Sequence, residues 1–209
     1  MKRQDAALVF GCSSVLLSYP EDDFEADMLA LNKSIDKLPR GRARACIRSA
    51  AAELASMPQI EAAAKYVETF DLQKRRSLHL TYYRHGDTRE RGAALASLME
   101  LYKNAGATLS QGELPDYLPA LLELAAVSTI GSSILREYRS SIQLLRNELT
   151  KSLNPYAGVI EAVMEAVGGI SKGDQIVIQR YIAEGPPAES VGLEPFSSPE
   201  VMGKKAEIR

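Results

Sequence analysis

The apolar residues of this chain recur every three or four positions, and that spacing limits the possible fold more than any other feature. Two long stripes consist of Leu8, Cys12, Val15, Leu16 and Tyr19, and of Ile134, Tyr138, Ile142, Leu145 and Leu149. Such spacing places the apolar side chains on one face of an α-helix. Strand-like alternation is confined to a weak hint over 175–182. The sequence therefore predicts an all-α fold.

Prolines and glycines divide these stripes into about eight helices. Asn154-Pro155, for example, is typical of an N-cap followed by proline at the first helical position. Residues 1–183 are predicted to form a single-domain helical bundle, whereas residues 184–209, which contain four prolines, are predicted to be a flexible, disordered tail. We expect helices near residues 4–18, 22–37, 40–55, 58–70, 88–105, 115–129, 132–151 and 155–167.

The charge balance and the scarcity of histidine and cysteine exclude several classes of function. Lys and Arg total 25 against 27 Asp and Glu, so the chain has no basic coat for nucleic acid. Cys12 and Cys46 are expected to be buried as small apolar residues, and His79 and His85 are the only histidines. No pair of these residues has a metal-ligand spacing, and no glycine-rich phosphate loop occurs. We therefore expect no bound metal and no cofactor.

The distribution of apolar residues also bears on location. The most apolar stretch, residues 118–130, is too short to span a bilayer and is interrupted by Pro119 and Glu123. The first residues lead into an amphipathic segment rather than a signal-peptide core. We expect a cytoplasmic protein without stable membrane association.

The least ordinary part of the chain is residues 66–91, where aromatic and basic side chains are interspersed. Tyr66, Phe70, Tyr82 and Tyr83 alternate there with arginines and with acidic residues such as Asp71. The segment is either a charged connection whose aromatic rings enter the core, or a surface that binds a peptide or protein. The interspersed carboxylates argue against a nucleic-acid interface.

Two short motifs carry candidate functional groups. His85-Gly86-Asp87 has a base beside a carboxylate, but the spacing provides no nucleophile, and helix capping by Asp87 is the simpler interpretation. Glu113 and Asp116 precede the most apolar helix, where they are predicted to cap it and to form an anionic rim beside an apolar groove. We assign no catalytic residue from these patterns.

Four separated motifs stand out at 66–72, 77–83, 85–92 and 113–119, with the sequences YVETFDL, SLHLTYY, HGDTRERG and ELPDYLP. They resemble the NarJ family, the assembly chaperones of respiratory nitrate reductase within the wider TorD/DmsD/NarJ group. The resemblance covers roughly residues 5–170. Tyr117 stands where the TorD-type Glu-Pro-Asp-His motif has histidine, which favours the nitrate reductase branch.

The resemblance implies an all-helical chaperone without catalysis. It would bind the N-terminal segment of the apo nitrate reductase alpha subunit. It would also hold the alpha–beta complex off the membrane while molybdenum cofactor is inserted. A small enzyme that uses His85 and Asp87, or a helical adaptor for another partner, remains an alternative. The resemblance assigns peptide binding to Tyr66, Phe70, Asp71, His85, Gly86, Asp87, Arg91, Glu113, Asp116 and Tyr117.

Overall fold

Helices make up the regular structure of residues 1–188, which is the part of the chain that this computed structural model describes. The all-α prediction is confirmed for that part, with eleven α-helices rather than about eight. A π-helix at Val67–Asp71 continues α4, and a 3₁₀ helix follows at Lys74–Arg76. The α-helices are α1 Arg3–Leu17, α2 Phe24–Ile35, α3 Arg42–Ala55, α4 Gln59–Tyr66, α5 Tyr82–His85, α6 Arg89–Asn104, α7 Leu118–Val127, α8 Thr129–Glu137, α9 Arg139–Lys151, α10 Tyr156–Val167 and α11 Lys172–Glu184.

Three departures from the predicted helices have local causes. The helix predicted over 132–151 is divided at Tyr138, whose buried ring lies under the guanidinium of Arg84 at 4.6 Å. The strand hint over 175–182 is wrong, because Ser171 and Asp174 form a reciprocal capping box that starts α11. The short helix α5 was not among the predicted helices, since four residues are too few to show a periodicity.

The core is organised around α1, which packs on α7 and α10, while α10 in turn packs on α3. The helix α10 buries seven of its twelve residues, and α7 buries seven of its ten. Each fully buried large aliphatic side chain contributes about 1.5–3 kcal/mol. The long bundle helices are therefore held by apolar burial. The stripe from Ile134 to Leu149 is buried as predicted, whereas in the first stripe Val15 and Tyr19 are 39% and 47% exposed and α1 buries Val9 and Leu17 instead.

The two cysteines differ in burial. Cys12 is buried, as predicted, whereas Cys46 is only half-buried, and both carry free thiols. Burial raises the pKa of the Cys12 thiol to about 11. A thiol of that pKa is inert near neutral pH, which agrees with a packing role for Cys12.

The predicted tail begins in a helix, since α11 extends to Glu184. Residues 185–188 follow it, and the backbone of Pro187 lies against Gly86. The remainder of the predicted tail, 189–209, lies outside the described residues. No helix in the described part of the chain is long and apolar enough to cross a membrane.

A glycine on α8 allows α7 and α8 to cross with their backbones in contact. A Cβ atom on Gly131 would lie 2.4 Å from the backbone nitrogen of Ala125. We expect Gly131→Ala to destabilise the fold by ~3 kcal/mol and lower the melting temperature by roughly 6–12 °C. The matched control is Gly92→Ala on α6, where the Cβ atom meets nothing and helix propensity adds up to ~1 kcal/mol. Equal melting temperatures for Gly131→Ala and the wild type would contradict this close crossing.

Candidate functional site

Two of the sequence motifs are joined by their backbones. The amide of Leu80 donates to the carbonyl of Asp116 at 3.0 Å, and the amide of Leu118 donates to the carbonyl of Leu78 at 2.9 Å. His79 and Tyr117 face each other across this short antiparallel bridge. The segment 77–83 is therefore fixed beside the segment 113–119, although 29 residues separate them.

Asp116 is the centre of this arrangement and is completely buried. Its carboxylate accepts hydrogen bonds from the His79 ring nitrogen Nδ1 at 2.9 Å and from both the amide and the hydroxyl of Thr81. Burial alone raises the pKa of the Asp116 carboxyl. The hydrogen bonds from His79 and Thr81, together with the charges of His79 and Arg91, outweigh it, so the pKa lies below its ordinary value of 3.8. The side chain is thus a buried anion with several donors.

Arg91 connects this buried anion to the surface. Its Nη2 atom lies 3.8 Å from Asp116 Oδ2, its Nε donates to the Thr81 hydroxyl at 3.2 Å, and its Nη1 donates to Asp87 at 3.2 Å. Asp87 is exposed and also lies 3.7 Å from Lys74. We call His79, Thr81, Asp87, Arg91 and Asp116 the signature cluster.

The structure corrects two expectations about these carboxylates. Asp116 does not lie on a rim, because it is fully buried, and it precedes α7 rather than capping it. Asp87 does not cap α6 either, since Thr88 occupies the N-cap position and Asp87 pairs with Arg91 instead. In the sequence both residues resemble N-caps, because each is an acidic residue that stands just before a helix.

An aromatic cluster adjoins the signature cluster. The hydroxyl groups of Tyr66 and Tyr117 lie 2.7 Å apart, and the Tyr66 ring has edge contacts with Tyr19 and Phe70 at 5.4 and 4.9 Å. The Phe70 ring also contacts Tyr156. Tyr66 and Phe70 are buried, whereas Tyr117 is partly exposed and Tyr19 is 47% exposed. Tyr19 and Tyr117 therefore present the accessible edges of this cluster.

The π-helix holds the other side of the aromatic cluster. Its Thr69 hydroxyl accepts a hydrogen bond of 2.9 Å from the buried Asn154 side chain, and Asn154 in turn accepts from the amide of Tyr156. Asp71, at the end of the π-helix, is exposed. Single-turn π-helices are frequent at functional sites, and this one turns Phe70 inward and Asp71 outward.

The turn His85–Asp87 does not form a catalytic dyad. The His85 ring nitrogen Nδ1 lies 3.6 Å from Glu90, while Asp87 pairs with Arg91 and Lys74. Gly86 has a φ of 56° and is buried beneath the backbone of Pro187. Asp87 is therefore paired with Arg91 and Lys74 rather than with His85, whose Nδ1 has no hydrogen bond, and the positive φ of the turn is one that glycine accommodates without strain.

An apolar groove opens between α1 and α2 and reaches the end of α7. Its volume is about 450 Å³, and a second depression of about 200 Å³ adjoins it at Val15 and Asp27 and extends to Tyr19, Tyr156 and Glu123. We call the two together the α1–α2 groove. The first depression is lined by Gln4, Ala7, Leu8, Gly11, Cys12, Val15, Asp27, Ala30, Leu31, Ser34 and Ala126.

Carboxylates border this groove where it meets the aromatic cluster. Glu123 is exposed and accepts from the Ser14 hydroxyl at 3.2 Å. Partial burial and the charge of Glu123 raise the pKa of Glu113. In the described part of the chain, Asp27, Glu113 and Glu123 take part in none of the ion pairs. Asp27 and Glu123 line the groove and form its anionic border, and Glu113 lies close enough to Glu123 to feel its charge, whereas Asp116 is buried.

Comparison with known proteins identifies the family. The sequence model of the nitrate reductase delta subunit family matches residues 35–161. The chain belongs to this family. It is 30% identical to the probable nitrate reductase molybdenum cofactor assembly chaperone NarJ of Bacillus subtilis, covering 84% of this chain and 97% of that protein. It is 28% identical to the chaperone NarJ of Escherichia coli K12, over 78% of this chain and 71% of that one.

A further relative is much longer. The chain is 37% identical to the nitrate reductase-like protein NarX of Mycobacterium tuberculosis over 158 residues. That match covers 75% of this chain but 24% of NarX, so this delta subunit family member spans about a quarter of that relative.

The site residues predicted from sequence form two groups in the structure. Asp87, Arg91 and Asp116 meet in the signature cluster, and Tyr66, Phe70 and Tyr117 meet in the aromatic cluster. Asp71, His85, Gly86 and Glu113 lie outside the hydrogen-bonded centre. Sequence reasoning missed His79, Thr81, Tyr19 and Tyr156. The sequence did contain a signal for His79 and Thr81, because they are the polar residues that alternate with Leu78 and Leu80 in the segment 77–83.

Loss of the buried anion should weaken the fold in a pH-dependent way. We expect Asp116→Asn to destabilise the protein by ~3 kcal/mol at pH 7, because it removes the negative charge and one of the two acceptor oxygens that face His79, Thr81 and Arg91. A depressed pKa in the folded state means that the carboxylate's contribution is complete above the unfolded pKa of about 3.9. This contribution is lost as the pH falls through the folded pKa of Asp116. The difference in the free energy of unfolding between Asp116→Asn and the wild type should therefore become smaller below pH ~4.

Denaturant unfolding at pH 7 and at pH 3 measures this difference. The control is Asp71→Asn, an exposed carboxylate that carries the same charge change and should shift stability by less than ~0.5 kcal/mol. Similar losses for both variants, or a difference that does not depend on pH, would show that Asp116 is not the buried anion described here.

Proposed function

We propose that this chain is a dedicated assembly chaperone of respiratory nitrate reductase and acts in the cytoplasm. Its client is the apo form of the catalytic alpha subunit, whose N-terminal segment it binds. It holds the alpha–beta complex while molybdenum cofactor is inserted and delays docking on the membrane subunit. Membership of the delta subunit family and the names of the NarJ relatives support this proposal.

The observation that carries the proposal is the α1–α2 groove with its acidic border. The groove follows α1 from Gln4 to Leu16, which is about 18 Å at the rise of an α-helix, and continues to Tyr19 just beyond the end of α1. The length along α1 suits a client helix of roughly twelve residues. The small side chains of Ala7, Gly11 and Ala30 let a client backbone approach closely, as amphipathic helices do when they enter apolar grooves.

The charges at the border suit a basic segment. Asp27, Glu113 and Glu123 lie at or near the end of the groove that meets the aromatic cluster. Arginines from the remnant of a twin-arginine signal would find carboxylates there. Because such rim pairs tune specificity and association rate more than affinity, the apolar contacts supply most of the binding energy.

The predicted site residues divide by exposure into two roles. Tyr66, Phe70, Gly86 and Asp116 are buried and shape the surface from below. We propose that the accessible members contact the client or its polar flank. They are Asp71, His85, Asp87, Arg91, Glu113 and Tyr117.

Calorimetric titration tests the proposed function. The ligand is a peptide copying the first ~20 residues of the host's nitrate reductase alpha subunit, and the control peptide is a twin-arginine signal from another molybdoenzyme. We expect saturable binding of the first peptide with a Kd on the order of micromolar, since ordering the segment offsets part of the contact energy. Failure of the first peptide to bind would overturn the proposal and favour an adaptor for another partner.

Filling the groove tests where the segment binds. Ala30 lines the groove and is exposed, so Ala30→Leu should block the client helix and raise the Kd at least ~10-fold without unfolding the protein. The matched control is Ala96→Leu on the exposed face of α6, for which we expect an unchanged Kd. The variant His85→Ala should also retain most of the wild-type affinity for the alpha-subunit peptide. Equal affinities for Ala30→Leu and Ala96→Leu would place the client elsewhere.

A further inference from the structure

Buried polar atoms without a hydrogen-bond partner are concentrated on three helices. Of the seven such side-chain atoms in residues 1–188, five belong to Arg84, His85, Ser140, Ser141 and Tyr181. These residues lie on α5, α9 and α11, and α9 packs against both of the other helices. Because buried polar groups in native proteins are nearly always hydrogen-bonded, these three helices are less well satisfied than the rest of the described bundle.

The helix α11 is also weakly anchored by apolar burial. Of its thirteen residues only Asp174 and Ile178 are buried, whereas Ile176 and Ile182 are 70% and 63% exposed. Its remaining anchors are an ion pair between Asp174 and Arg139 and the packing of the Tyr181 ring on Tyr83. Elements with few buried apolar contacts open at the lowest free energy.

The residues after α11 lie on the turn that the sequence singled out. A Cβ atom on Gly86 would lie 1.8 Å from the carbonyl oxygen of Pro187, so the two backbones are in direct contact. Pro186 and Pro187 have no N–H group to donate, and lifting them breaks no hydrogen bond from their own nitrogens. The turn His85–Asp87 is therefore covered by a contact of the chain with itself in which the nitrogens of Pro186 and Pro187 donate no hydrogen bond.

We propose that α11 and Gly185–Ala188 form a displaceable cover over the turn His85–Asp87, and that the client displaces it. The proposal rests on the proposed function, because it names the regulation of the same surface. While the cover is closed, it occupies the turn. The polar residues that flank the apolar face of the client helix then cannot reach Gly86 and the side chains beside it. The apparent affinity is then reduced by the fraction of open molecules, and reclosure of the cover favours release.

Hydrogen exchange of the full chain, with and without the alpha-subunit peptide, tests the displacement. We expect amides in 172–188 to exchange faster in the complex, while amides in α1 and α2 exchange more slowly. Slower or unchanged exchange in 172–188 on saturation with the peptide would overturn the proposal.

Variants of the helix cap test the competition. Ser171→Ala and Asp174→Asn each remove part of the capping box, and the second also weakens the pair with Arg139. We expect faster exchange of α11 in the free protein and a Kd for the peptide that falls by ~5-fold. The matched control is Ser128→Ala, which removes the N-cap of α8 and should leave both unchanged.

The two proposals fail in different ways. If wild type does not bind the peptide, the proposed function is wrong, whatever α11 does. If wild type binds and the cap variants loosen α11 without tightening binding, the cover is wrong and the function stands.

Discussion

The buried carboxylate of Asp116 is the interaction on which the arrangement of the site depends. A charge without solvent is tolerated only where donors replace the lost water, and here the donors come from His79, Thr81 and Arg91. Those residues belong to the segment 77–83 and to the start of α6. The carboxylate thus holds together three separate stretches of chain, namely the segments 77–83 and 113–119 and the start of α6.

The position of this anion also determines the position of the aromatic cluster. Tyr117 follows Asp116 directly, and because the bridge to His79 fixes its backbone, its hydroxyl meets that of Tyr66. Tyr66 in turn contacts Tyr19 at the end of α1. A continuous set of contacts therefore runs from the signature cluster to the α1–α2 groove. Through these contacts, a substitution at Asp116 can affect the surface that we propose for client binding.

The sequence predicted the helices well because burial of one helical face repeats every three or four residues, as in α8 and α9. It did not predict the break at Tyr138, where the ring contacts Arg84 of a distant helix, and it missed α11 although the Ser171–Asp174 spacing of the capping box is present in the sequence. The site was harder to predict. Asp116 has the spacing of a helix cap, and only the approach of a distant segment shows that it is buried. Tyr19 lies far from every motif and joins the aromatic cluster through folding alone.

The buried residues of the motifs are held in place by specific neighbours. Asp116 and Tyr66 each have a partner in another motif, and Gly86 lies under the backbone of Pro187, so replacing one would leave a partner unsatisfied or a backbone displaced. The lining of the α1–α2 groove is less constrained where it is exposed. Side chains such as Gln4 and Ala30 can change while the fold persists, whereas Leu31 and Cys12 belong to the core. The motifs therefore identify the scaffold, and we propose that the exposed lining of the groove adjusts which segment it accepts.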